Sequence, residues 1–298
     1  MSVPDSPPRR FRWRRVLLGG LGVLLLIVAI GAWSAGSLLM ARSGGPIKKP
    51  VGLFAEDVQF ESAAGDTIRG WWMPRPPSSP CLLFVHGINA DRLAMLDRAR
   101  LFSHLGYSTL LFDLPAHGES SGRSVTFGGR ESAAVSGALG WVRARVPGSK
   151  VGVDGLSLGG AAVLLRREHT GFDAIVVEAV FPTIHRAILN RMTDRFGLLG
   201  YAAEPLLEIQ LILRLQEWPG DLAPVEQIDK VGAPVLVIGG EDDHLTPVGE
   251  TRELYRRARE PKQLWIVPGA GLADFLRAQP AEYARTVGGF FATHLRSK

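Results

Sequence analysis

Six short, almost wholly apolar runs recur along the chain, at residues 82–86, 108–113, 151–154, 174–178, 235–239 and 264–267. A strand that is apolar at nearly every position has no side fit for water, so it must be covered on both faces. Between the runs lie stretches with helical spacing of apolar residues, including 93–104 and 131–146. That alternation predicts an α/β fold, with a mostly parallel central sheet covered by helices on both faces. Two half-apolar segments precede it, 57–61 and 67–73, divided by Ala64-Gly65-Asp66, and read as an antiparallel hairpin. Cys81, the only cysteine, heads one run as a small buried strand residue. It excludes an internal disulfide and a thiolate zinc site.

Ser157 stands in Gly155-Leu156-Ser157-Leu158-Gly159-Gly160, after one apolar run and before a helix-like stretch at 161–168. A serine between glycines at a strand-to-helix junction has strained backbone angles and an exposed hydroxyl, the arrangement of a nucleophile. The same pattern also makes an ordinary glycine-rich turn, so its meaning depends on partners elsewhere. His86-Gly87-Ile88-Asn89 closes the strand at 82–86, where the amide of Ile88 can join that of Leu158 in binding an oxyanion. His86 reads as a hydrogen-bonded structural residue. Asp113 to Ser120 forms a tight polar loop that His117 shapes. Glu241-Asp242-Asp243-His244 follows the strand at 235–239, and either aspartate can orient a histidine there.

Together these residues resemble the alpha/beta-hydrolase superfamily over about residues 52–298, in particular bacterial members with a membrane-anchored or secreted catalytic domain. His86-Gly87 resembles its oxyanion loop, Asp113 to Ser120 its D-x-x-G/A-H-G-x-S loop, and Gly155 to Gly159 its nucleophile elbow. The resemblance implies an acid three residues after a glycine and four before a proline. Gly240 and Pro247 place it at Asp243, with Asp242 second. It also implies a catalytic histidine in a loop resembling P-G-A-x-H. Here the chain reads Pro268-Gly269-Ala270-Gly271-Leu272, so Leu272 occupies the histidine's place. Loss of that base in a serine hydrolase costs about 10⁶-fold in turnover. His244 is the substitute if its loop bends toward Ser157.

Nearly sixty residues separate the runs at 174–178 and 235–239. This insertion, about 181–230, contains the apolar stretch Leu206, Leu207, Ile209, Leu211, Ile212, Leu213 and Leu215. It reads either as a helical lid over an apolar pocket or as plain core packing.

Residues 16–41 carry no charged side chain over 26 positions. A helix of that length spans about 39 Å, against a hydrocarbon core of about 30 Å. The reading is a transmembrane helix, with a basic tail at 1–15 before it and a linker at 42–51 after it. The alternative is a signal peptide cleaved near Ala32-Trp33-Ser34-Ala35-Gly36, which would release a secreted protein. Arg9, Arg10, Arg12, Arg14 and Arg15 precede the helix, and Arg42, Lys48 and Lys49 follow it. This balance predicts a single-pass protein with a cytoplasmic N-terminus and an extracytoplasmic catalytic domain. Of the formal net charge of +5, residues 1–15 carry +4 and residues 42–49 carry +3, which leaves −2 for residues 50–298. The basic flanks fit a membrane surface, and charge gives no support to a nucleic-acid partner.

The expected function is a membrane-anchored serine hydrolase acting through Ser157 on small ester or lipid-like acyl substrates, with no cofactor and no metal. With Leu272 in the base position, its activity is expected to be impaired. The alternative is a pseudo-hydrolase that binds an acyl ligand or a protein partner at the membrane.

Overall fold

The computed structural model describes residues 9–166, 171–271 and 275–296. In chain order the elements are α1 (Arg9–Leu39), β1 (Glu56–Glu61), β2 (Thr67–Met73), β3 (Cys81–Val85), α2 (Leu96–His104), β4 (Ser108–Phe112) and α3 (Gly129–Arg145). Then come β5 (Val151–Leu156), α4 (Leu158–Leu164), β6 (Ala174–Glu178), α5 (Ile184–Phe196) and α6 (Gly200–Gln210). The chain closes with β7 (Val235–Gly240), α7 (Val248–Arg257), β8 (Lys262–Val267), α8 (Phe275–Ala278) and α9 (Pro280–Leu295).

The eight strands form one sheet in the order β1-β2-β4-β3-β5-β6-β7-β8. Pairing is antiparallel at β1–β2 and β2–β4 and parallel from β4 to β8. Alternation along β3 shows how the sheet serves two cores. Cys81, Leu83 and Val85 face the side covered by α3, α4 and α7, whereas Leu82 and Phe84 face α2, α8 and α9. Both sets are fully buried, which is why this strand is apolar at every position. Burial also pushes the Cys81 thiol up to about 11, so it is held as a neutral, unreactive group.

The predicted strands are found with their ends shifted by a residue or two. The helix-like stretch at 161–168 in fact begins at Leu158, and residues 167 and 168 lie outside the described residues. The stretch at 93–104 opens as a 3-10 turn over Arg92–Met95 before α2 begins. Asp91 caps that turn, its carboxylate accepting the Leu93 amide at 2.8 Å.

The insertion after β6 holds α5 and α6, packed against each other. Thr183 starts α5 by accepting the Arg186 amide through its hydroxyl at 3.2 Å. Gly200 permits the close crossing, since a β-carbon there would lie 2.5 Å from the Met192 backbone. After Gln210 the helix widens into a π-type turn over Leu211–Leu215.

The segment after α1 is stitched to the loop that follows β4. The Val125 amide donates to the Met40 carbonyl at 3.0 Å, and the Ser43 amide to the Ala116 carbonyl at 2.8 Å. Gly118 donates to Ser43, and Gly45 to Gly118, each at 3.0 Å. Arg42 adds a hydrogen bond to the Ser120 carbonyl at 2.9 Å.

Candidate active site

Ser157 lies between β5 and α4 with φ 50° and ψ −114°, a conformation that costs a non-glycine residue on the order of 1–3 kcal/mol. The surroundings hold it there. Its amide donates to the Glu178 carbonyl at 2.7 Å, and its carbonyl accepts the Ala161 amide at 2.9 Å. The flanking glycines are demanded by space. A β-carbon on Gly155 would lie 2.7 Å from Gly160, and one on Gly159 would lie 2.2 Å from the Val85 carbonyl oxygen.

The loop after β3 runs beside the serine. A β-carbon on Gly87 would stand 3.5 Å from that of Ser157. Neither the Ile88 nor the Leu158 amide donates to a described residue, so both remain available to an incoming oxygen. His86 is buried. Its Nδ1 lies 2.7 Å from the Gly87 carbonyl oxygen and its Nε2 accepts the Leu114 amide at 3.0 Å. This pairing fixes the neutral Nδ1–H tautomer, and burial pushes the pKa down to about 3. His117 is committed in the same way, with Nδ1 2.9 Å from the Pro115 carbonyl oxygen and Nε2 accepting the Asn89 amide at 3.3 Å. Both histidines build the loops that flank the serine.

Asp113 organises the polar loop. Its two oxygens accept the amides of Arg92 and Glu119, each at 2.9 Å, and Arg92 pairs with it at 3.5 Å. Burial nevertheless raises its pKa to about 6. Gly118, at φ +46°, packs so closely that a β-carbon would sit 2.2 Å from the Asp113 carboxyl carbon.

Asp243 is buried on the loop after β7. One oxygen accepts the amides of Leu245 and Thr246, at 2.8 and 2.9 Å, and the other takes the Thr246 hydroxyl. Its charge is also felt by Arg191 on α5. Asp242 and His244 are exposed. The loop 268–271 lies against this one, with the Asp242 amide donating to the Ala270 carbonyl at 2.9 Å. Leu272 itself lies outside the described residues.

A narrow cleft opens above Ser157. The sheet side contributes Ile88, Phe127 and Leu158, and the insertion contributes Ile184, Ile188, Met192, Leu207 and Leu211. The third wall comes from the end of α1, through Gly36, Leu39 and Met40. Among the described lining residues, Ser157 and Arg191 alone carry polar side chains; His244 is not one of them. Such a site suits an apolar ligand.

Elsewhere on the insertion, His185 Nδ1 lies 3.0 Å from both Glu204 and Glu208. These three are the one group among the described residues whose ligand atoms gather closely enough for a metal ion. None of them lines the cleft. They serve as an ion-pair clasp between α5 and α6.

The profile of the alpha/beta hydrolase family matches residues 82–286, from β3 into α9. The chain belongs to the alpha/beta hydrolase family. Among the relatives of this alpha/beta hydrolase, the uncharacterized protein YqkD of Bacillus subtilis is 26% identical over 233 residues, covering 77% of this chain and 76% of its own length. The uncharacterized protein Rv2307c of Mycobacterium tuberculosis is 29% identical over 266 residues, covering 87% and 86%. Among solved structures, the Pyrococcus furiosus esterase Pf2001 superposes with a TM-score of 0.69 at 20% identity, over 86% of this chain and 99% of that one. The alpha/beta hydrolase GrgF of Penicillium superposes with a TM-score of 0.64 at 20% identity, over 82% and 99%. At such identities the likeness extends to the fold.

Two parts of the site in this alpha/beta hydrolase are not visible in its sequence. One is the end of α1, which reads there purely as an anchor. The other lies behind the elbow. The Tyr283 hydroxyl is 2.8 Å from Asp154 and 2.6 Å from Glu178, and Arg98 pairs with Glu178 at 2.6 Å. All four are buried, and burial beside Glu178 raises Asp154 well above the usual carboxylate range. The network ties together β5 and β6, the two strands whose ends carry Ser157 and the carbonyl that holds its amide. The available signal is a pair of carboxylates inside otherwise apolar strands, since a buried charge needs a partner.

Proposed function

We propose that this chain is a membrane-anchored serine hydrolase of ester-like acyl substrates. Ser157 Oγ attacks the acyl carbonyl carbon, and the amides of Ile88 and Leu158 bind the resulting oxyanion. Collapse of the intermediate would expel the alcohol and leave an acyl-serine for water to cleave. The observation that carries the reading is the strained Ser157 at the floor of an apolar cleft, beside two unengaged amides. The Pyrococcus neighbour is an esterase, which points to the same bond type. Asp243 is the proposed acid, and in the sequence Leu272 occupies the place that the resemblance gives to the base. The uncharged span at 16–41 supports an anchor, and the balance of five Arg before it against Arg42, Lys48 and Lys49 after it favours a domain outside the cytoplasm.

A second reading, a pseudo-hydrolase that holds an acyl ligand or protein partner, is favoured by the histidines. His86 and His117 are committed to backbone partners, and His244 is exposed away from the cleft lining. Asp243 is likewise satisfied by its own loop. The hydrolase reading predicts weak turnover that depends on Ser157, and the pseudo-hydrolase reading predicts none. They are separated by fluorophosphonate labelling and p-nitrophenyl ester hydrolysis in the full chain and its Ser157→Ala, Leu272→His and His244→Ala variants. The hydrolase reading expects labelling that Ser157→Ala abolishes and Leu272→His accelerates by about 10²-fold or more. No labelling in any form leaves the pseudo-hydrolase. A drop in turnover in His244→Ala would assign the base to His244 instead.

A further inference from the structure

The insertion has two apolar faces, and the cleft uses only one. Leu207 and Leu211 of the α6 stretch point into the cleft. On the other side Leu206, Ile209 and Leu213 form an exposed stripe, the last 66% exposed. The turn between α5 and α6 adds Leu198 and Leu199, exposed to 87% and 74%. A soluble surface rarely shows so many large apolar side chains side by side.

What adjoins the stripe indicates what covers it. Gln210, next to Ile209, and Arg214, next to Leu213, flank the stripe. Both reach α1. The Gln210 amide donates to the Ala32 carbonyl at 3.0 Å and Arg214 to the Trp33 carbonyl at 3.3 Å, with its guanidinium 4.7 Å from the Trp33 ring. The stripe therefore adjoins the exposed apolar surface of α1, and the polar groups of Gln210 and Arg214 at the seam are engaged by α1 itself. A helix crossing hydrocarbon needs about 20 residues, so a span starting at Val16 reaches the far boundary near Ala35. Contacts at Ala32, Trp33 and Gly36 thus put α6 at that boundary, the depth at which interfacial helices bury one face. Arg and Trp are the residue types that settle there.

We infer that the outer face of the insertion lies in the bilayer beside α1, and that acyl chains reach Ser157 laterally from the hydrocarbon, between the end of α1 and α6. The substrate class is then a membrane-resident acyl lipid. This rests on the anchor and acyl-substrate readings proposed above, and the following test reads membrane depth independently of turnover.

Cys81 is buried and is the only native thiol, so single introduced cysteines can be labelled selectively in the full chain. A nitrobenzoxadiazole label is placed at Leu199→Cys, Leu213→Cys, Leu25→Cys on α1 and Arg285→Cys on exposed α9 surface, in phosphatidylcholine vesicles. The expected result is that doxyl-labelled lipid quenches positions 199 and 213 as it quenches 25, while their iodide quenching falls at least about fivefold below that of 285. Iodide quenching at 199 and 213 equal to that at 285, with 25 in the bilayer, overturns the inference and leaves the anchor standing. Shielding from both quenchers, with energy transfer between labelled copies, assigns the stripe to a second copy and also overturns it. If position 25 is itself open to iodide, anchor and inference fall together. A diazirine-bearing palmitate dissolved in the same vesicles tests the access route. Crosslinks to Leu207 and Leu211 as well as the stripe are expected; crosslinks confined to the stripe overturn lateral access. Absence of fluorophosphonate labelling alongside bilayer quenching would sink only the hydrolase reading.

Discussion

Two glycine-to-alanine substitutions, both inside helices, should change stability in opposite directions. Gly140 lies in α3, exposed, and a β-carbon added there would meet nothing within 4 Å. Alanine there removes backbone freedom from the unfolded chain and should gain about 0.5–1 kcal/mol. Gly159 in α4 offers the same local gain, but its β-carbon would sit 2.2 Å from the Val85 carbonyl oxygen, 2.6 Å from its carbon and 2.7 Å from the His86 oxygen. All three are backbone atoms at the end of β3 and the start of the loop that follows it, so no side chain can swing aside. Overpacking of this kind costs about 1–3 kcal/mol, which leaves Gly159→Ala a net loss of up to about 2.5 kcal/mol. For a domain of this size that lowers Tm by up to about 10 °C, whereas Gly140→Ala raises it by about 1–4 °C. The assay is thermal melting of the full chain in one detergent, followed by circular dichroism. A Gly159→Ala variant as stable as Gly140→Ala would refute the tight seating of α4 against β3. The elbow geometry would then have to be redrawn.

Removing the Tyr283 hydroxyl with Phe leaves buried Asp154 and Glu178 oxygens short of a donor and should cost about 1–3 kcal/mol, read as a lower urea midpoint. An unchanged midpoint would show that Arg98 satisfies both carboxylates alone. His86 should make the fold acid-sensitive. Its pKa is lowered to about 3 from 6.5, so the unfolded chain binds the extra proton between those values. Its contribution is complete above pH 6.5 and is lost as pH falls, by about 1.4 kcal/mol for each pH unit down to about 3. His86→Asn should flatten the stability profile between pH 6 and 4; an equally steep profile would assign the acid sensitivity elsewhere.

The sheet was legible because burial on both faces leaves its mark on every residue of a strand. β3, β6 and β7 stand out for that reason, and the elbow does because Gly155, Gly159 and Gly160 are each required by a backbone contact. The roles of His86 and His117 as structural residues were also readable from their places in tight loops. What local patterns cannot carry is contact across long separations. Gly36 meets the side chain of Gln210, and Gln210 bonds to Ala32 across 178 positions, so no window of sequence shows α1 as a wall of the cleft. The start of α4 was hidden for another reason. It begins directly after the strained Ser157, where neither periodicity nor a capping side chain marks the boundary. The satisfied state of Asp243 was likewise hidden, because its place in the sequence leads one to expect a partner histidine and not the Thr246 hydroxyl that it binds.

The end of α1 does more than an apolar span requires. Gly36 approaches Gln210 so closely that a β-carbon there would overlap its side chain, and Leu39 and Met40 complete the cavity over the serine. This helix is therefore not interchangeable. Replacing it with another hydrophobic span of equal length would keep its apolar length yet open the cleft on one side, so selection for what the cleft holds extends into a helix whose composition looks free to drift.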